Sequence, residues 1–245
     1  MMPRQIKQAH GRTGALGTRM ALFFTVALLV AGCTATGIDT NPVVRKFTWF
    51  SYLNGDDVRA ACEPGAPDRY RFVYNGVFVR HVRTYDIVPE ADGRTFTLTT
   101  RVIGPTDVSR IVIRRPLDIF APGRGTIVET KLTRDDILTL REALAAGGFF
   151  ESPPRRLRLT SEDFFWLGTA CVDGQIAFNA FRWPSARFDQ ARFPSVLLAW
   201  DPTGIPISPP RDVSLLEIFG TSDPDIRRRH STFNLTVTED GLVGR

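Results

Sequence analysis

Asp173-Gly174 sits between two runs that alternate in the way strands do, FFWLGTACV at 164–172 and QIAFNAFRW at 175–183. A two-residue Asp-Gly link between alternating apolar runs signals a tight β-hairpin, because both turn positions need a left-handed backbone that these residues tolerate. Such a loop fixes the register: Val172 must face Gln175, and Cys171 must face Ile176. Counting back by twos puts Leu167, Thr169 and Cys171 on one face with Ile176, Phe178 and Ala180. That face is apolar, so Cys171 is expected to point into a core.

Other stretches repeat the pattern. The run 69–88 is rich in Tyr, Phe, Val and Ile, with a candidate turn at Asn75-Gly76. Asp92-Gly93 offers another turn before 95–103, where Phe96, Leu98 and Val102 share a face. The segments 109–114, 125–132, 155–160 and 233–238 read as further strands, and 193–200 fits a strand or a short helix. Together they predict an antiparallel sheet with one wet face. The region 201–210 carries four prolines and is expected to be extended or irregular, and 213–219 to hold a turn or two of helix.

One long helix is predicted over 133–147. Thr133 is a suitable N-cap, Asp136 stands at the capping-box position, and Ile137, Leu140 and Leu144 form one apolar stripe. Gly147-Gly148 supplies the stop. A short helix at 57–62, with cap candidates at 54–57, is expected to end at Glu63-Pro64-Gly65. The fold class is therefore α+β, mainly antiparallel sheet with one principal helix packed on it, in a single domain spanning 47–245.

The first 33 residues have a different character. Residues 1–19 carry Arg4, Lys7, Arg12 and Arg19 and no acidic residue, and 20–31 are almost wholly apolar. This order of basic, apolar and small residues describes a secretory signal peptide, and the apolar run is short of the roughly 20 residues that span a bilayer. Its end, Leu28-Leu29-Val30-Ala31-Gly32-Cys33, resembles the lipobox of bacterial lipoproteins. The resemblance implies removal of residues 1–32 and acylation of Cys33, with 34–46 as a flexible tether. Two or three acyl chains hold a protein stably on one leaflet without spanning it. Thr34 stands where an inner-membrane retention aspartate often lies in that family, which implies the outer membrane, facing the periplasm.

Cleavage changes the composition argument. Four of 31 basic residues leave and none of the 26 acidic ones, so the balance becomes 27 against 26. The basic excess belongs to the signal peptide, and nucleic acid is not an expected partner. Of three cysteines, Cys62 and Cys171 remain after lipidation. Export favours a bridge between them, with two separate buried thiols as the alternative. Two cysteines without CxxC spacing or a nearby histidine make no metal set.

The sequence carries no GxSxG, HExxH, Walker or GxGxxG motif. Of the two histidines after Cys33, His81 and His230, the first reads as a surface or half-buried side chain in a strand, and Asp56-Asp57 and Asp135-Asp136 read as helix-start residues. Arg227-Arg228-Arg229 reads as a solvated run diluted by Asp223 and Asp225, and Asn234-Leu235-Thr236 as a sequon that a bacterial lipoprotein would not use. Phe164, Phe165, Trp166, Phe178, Phe181 and Trp183 either belong to a sheet packed on both faces, the favoured reading, or leave an apolar patch for a partner. No catalytic, cofactor or metal residue is assigned. The expectation is a membrane-anchored envelope lipoprotein that binds another envelope component, a protein for instance, or supports assembly. A periplasmic hydrolase with a site assembled only in the fold, and a carrier of small apolar ligands, are the alternatives.

Overall fold

The computed structural model describes residues 49–78, 80–104, 125–214 and 233–244. Nine strands and four helices order these segments: β1 (Arg69–Gly76), β2 (Val82–Pro89), β3 (Phe96–Ile103), β4 (Thr126–Leu132), β5 (Arg158–Thr160), β6 (Phe164–Val172), β7 (Gln175–Arg182), β8 (Asn234–Thr238) and β9 (Gly241–Gly244), with α1 (Asp56–Ala60), α2 (Arg134–Ala146), α3 (Ala186–Gln190) and α4 (Phe193–Ala199). A further helical segment covers 49–54. The fold is α+β, and its main sheet runs β4-β3-β2-β1-β6-β7, with every pairing antiparallel.

The 173–174 hairpin forms in the register its turn dictates, with Val172 opposite Gln175 and Cys171 opposite Ile176. Asp173 and Gly174 both have positive φ, as such a turn requires. The long helix also forms as its sequence directs. Thr133 accepts from the Asp136 N–H while the Asp136 carboxylate accepts from the Thr133 N–H, and Ile137, Leu140 and Leu144 are buried. Residues 193–199 are helical, resolving that segment as α4.

The sheet is packed on both faces, in three layers. On one face Tyr70, Phe72, Tyr74, Trp166 and Phe181 meet α2 and α4 through Leu140, Leu144, Phe193 and Leu197. On the other, Val73, Phe165, Leu167 and Ala180 meet Trp49, Tyr52 and Leu53 of the helical segment and a small second sheet, β5-β8-β9. The hairpin aromatics are thus core on both sides, and only Trp183 among them is half-buried. The second covering layer leaves the β3–β4 wing open, where Arg101, Ile127, Glu129 and Lys131 form the expected wet face.

Three local expectations are corrected. The chain does not turn at Asn75-Gly76: β1 continues through Gly76, Asn75 pairs with Val82, and the reversal falls at 77–81 with Val77 at φ 63°. The Asn75 amide donates to the carbonyls of Ser161 and Asp163 at 3.2 and 2.6 Å, and this buried role excludes it from a loop tip. The strand expected at 155–160 shrinks to β5, because Arg156 adopts φ 62°. The short helix is not capped by Asn54–Asp57 side chains. Its N-cap is Gly55, at φ 67°, where a Cβ would lie 2.6 Å from Thr169. The strand expected at 109–114 lies outside the described residues, as does most of 213–219.

Candidate functional site

Local order in the core leaves several polar clusters to be read as candidate chemistry. The first joins α1 to the sheet. Arg71, buried on β1, binds both oxygens of Asp57, and its Nε donates to Asp86 at 2.5 Å. Its guanidinium lies 3.9 Å from the centre of the Tyr52 ring, and the Tyr52 hydroxyl donates to the other Asp86 oxygen. Burial, then Asp86, push the Tyr52 hydroxyl well above the ordinary tyrosine range. Asp57 thus serves as an ion-pair partner and not as a cap. Every charged member of this cluster is engaged by another.

The second cluster fastens the proline-rich segment 201–214 across the helical face of the sheet. Arg83 pairs with Asp201 at 2.8 Å and also donates to the Ile205 carbonyl. The Tyr85 hydroxyl reaches the same Asp201 oxygen at 2.9 Å, and the Tyr74 hydroxyl donates to the Ser208 carbonyl at 2.5 Å. The other Asp201 oxygen accepts from the Thr203 N–H and hydroxyl. This strap is irregular, as its prolines dictate, yet it is held by three core side chains, Arg83, Tyr85 and Tyr74.

His81 lies beside this cluster. Its ring meets that of Tyr74 edge-on at 6.0 Å, and its Nε2 is buried without a hydrogen-bond partner. Burial, then the Arg83 charge, push its pKa down to about 4 against the weaker pull of Asp201. His81 is therefore a neutral buried ring, and Asp201 is fully engaged elsewhere. The two do not make a base–carboxylate pair.

A groove of about 260 Å³ lies where the strap's end approaches the start of β6 and the end of β7. Phe164, Trp183 and Pro184 form its apolar wall. Glu162, Asp163 and Asp212 line it with carboxylates, and Arg182 and Arg211 with guanidiniums. The Trp183-Pro184 peptide is cis. Asp163 is placed by a tight turn, in which its carboxylate accepts from the Thr160 N–H at 2.8 Å and its own N–H donates to the Thr160 carbonyl.

The cysteines expected to pair do so. Cys62, two residues beyond α1, is bonded to Cys171 on β6 at an S–S distance of 1.99 Å, and Cys171 is buried. Cys33, His230 and Arg227-Arg228-Arg229 lie outside the described residues. Asn234 is exposed on β8 and Leu235 is core. Among the described residues no set of three or more histidine, cysteine or acidic side chains is grouped to hold a metal ion, and no helix is long and apolar enough to cross a membrane.

Sequence reasoning missed Arg71, Arg83, Asp201 and the groove. Each joins residues far apart in the chain, and a lone arginine in an alternating strand carries no local mark of burial. No protein-family model, curated protein or solved structure matches the chain.

Proposed function

We propose that this protein is an exported lipoprotein of a bacterial envelope, cut before Cys33 and held by acyl chains on that residue. Its domain then faces the periplasm from the outer membrane. There it works as a binding or assembly-supporting module and not as an enzyme. The observation that carries the reading is the bond between Cys62 and Cys171, which joins the segment after α1 to the hairpin end of β6 in the main sheet. Disulfides persist in oxidising compartments. The basic, apolar and small residues of 1–33 supply a route to one.

Binding is favoured over catalysis by how the buried polar groups are used. Asp57, Asp86 and Asp201 each hold an arginine, and His81 has no carboxylate to orient it. A general base needs a free lone pair within reach of a substrate proton, and these groups hold the layers together instead.

The test uses the full chain in a bacterial host fed labelled palmitate. Wild type is expected to take up label and to sediment with membranes, and Cys33→Ala to do neither. Equal labelling and sedimentation of the two would refute the lipoprotein reading.

A further inference from the structure

The groove beside the strap differs from the polar clusters of the core in one respect. Arg71 and Arg83 each hold a carboxylate at hydrogen-bond distance. Arg182 is held more loosely: its Nη2 stands 3.4 Å from Asp163 Oδ1 and makes no hydrogen bond to it. The other Asp163 oxygen is taken by the Thr160 N–H. Charged donors form strong hydrogen bonds. The Arg182 side chain is 41% exposed although its Nε is buried, so an acceptor arriving from solution meets the outer end of the guanidinium.

The surroundings narrow the choice of ligand. The groove carries one more carboxylate than guanidinium, which disfavours phosphate and other free anions. An acyl chain would need an enclosed apolar chamber, and this groove is open and lined by five charged side chains. A neutral polyhydroxylated ring suits both kinds of wall. Its hydroxyls donate to carboxylates and accept from guanidiniums, and its C–H face packs against an aromatic side chain. The volume lies below that of drug-sized sites and suits about one or two sugar rings.

We propose that the groove between Arg182, Trp183 and Asp212 binds a neutral saccharide unit of an envelope glycan. Arg182 and Asp212 hydrogen-bond its hydroxyls, and Trp183 packs on its apolar face. The proposal rests on the reading of the domain as an envelope binding module and names what that module holds. The same sugar chemistry occurs in the cell-wall glycan and in the saccharide of a glycolipid.

The test takes the full-length protein in a detergent without a sugar headgroup. Two probes are titrated calorimetrically, N-acetylglucosamine oligomers of one to four units and a neutral, phosphate-free hexose oligosaccharide from the outer lipopolysaccharide core. Saturable binding of at least one probe is expected, weakened about tenfold or more by Arg182→Gln and by Trp183→Ala. Arg155→Gln, at an exposed ion pair with Glu239, leaves binding unchanged. Affinity rising with amino-sugar chain length assigns the cell-wall glycan, and preference for the core oligosaccharide assigns the glycolipid. No saturable binding of either probe, binding untouched by Arg182→Gln, or displacement by inorganic phosphate overturns the proposal. Arg182→Gln decides the matter if Trp183→Ala fails to fold. A negative result leaves the palmitate labelling at Cys33 intact, so the two readings fail separately.

Discussion

Arg83 and Asp201 meet at 2.8 Å with side chains only 2% and 3% exposed, 118 residues apart in the chain. The pair fixes the start of the strap to the centre of the main sheet. Two charges are withdrawn from water for this, and the arrangement is favourable only while both are present. Asp201→Ala is expected to lower stability by about 3–5 kcal/mol, since it leaves the Arg83 charge buried and unpaired. Replacing both residues by apolar ones of similar size should cost much less. Urea unfolding of the single and double variants measures the difference. A single variant within about 0.5 kcal/mol of wild type would show that the pair does not hold the strap.

The bond between Cys62 and Cys171 closes a loop across a sequence separation of 109. In the chain-entropy model a loop of about this length is worth up to roughly 4–5 kcal/mol. Reduction, or Cys62→Ser with Cys171→Ser, should lower the unfolding midpoint accordingly. Thiol titration of the unfolded, unreduced and lipidated protein should find no reactive thiol. Two would reject the bridge.

His81 gives the fold a defined acid sensitivity. An unfolded histidine titrates near 6.5, and burial holds this one down at about 4. Between those values the unfolded chain binds the extra proton, so stability rises with pH across the window. It is fully present above about pH 6.5 and is lost as pH falls toward 4. The loss amounts to up to about 3 kcal/mol. His81→Gln should flatten that part of the stability profile, and an unchanged slope would remove His81 as its source.

Gly168 on β6 leaves room for Phe149 and Phe72. A Cβ there would lie 2.4 Å from the Phe149 ring and 2.9 Å from that of Phe72. Both rings are fully buried, so neither can withdraw without moving its neighbours. Gly168→Ala should therefore destabilise by about 1–3 kcal/mol through overpacking. A stability equal to wild type would mean that the Phe149 layer is loosely packed.

What was legible in the sequence was local. Asp173-Gly174 specifies its hairpin because a two-residue turn leaves one register open, and Thr133 with Asp136 starts α2 because cap and partner are three residues apart. Asn75-Gly76 misled for the opposite reason. A turn signal was outweighed by two carbonyls some 86 and 88 residues away that take the Asn75 amide. The groove was hidden in the same way, since Arg182 and Asp212 carry no mark of proximity in the linear chain. Cys62 and Cys171 could be matched because only two cysteines remained and the compartment favoured oxidation.

The placement of β1 and β6 at the middle of three layers also bears on how this sequence can drift. Almost every side chain from 70 to 76 and from 164 to 171 is buried, on one face or the other. In an ordinary two-layer sheet half of such positions would accept polar replacements, and here nearly none can. Polar replacements are expected on the β3–β4 wing, the outer side of α2 and the loops. A distant descendant would therefore keep two stripes of apolar and aromatic residues while losing resemblance almost everywhere else.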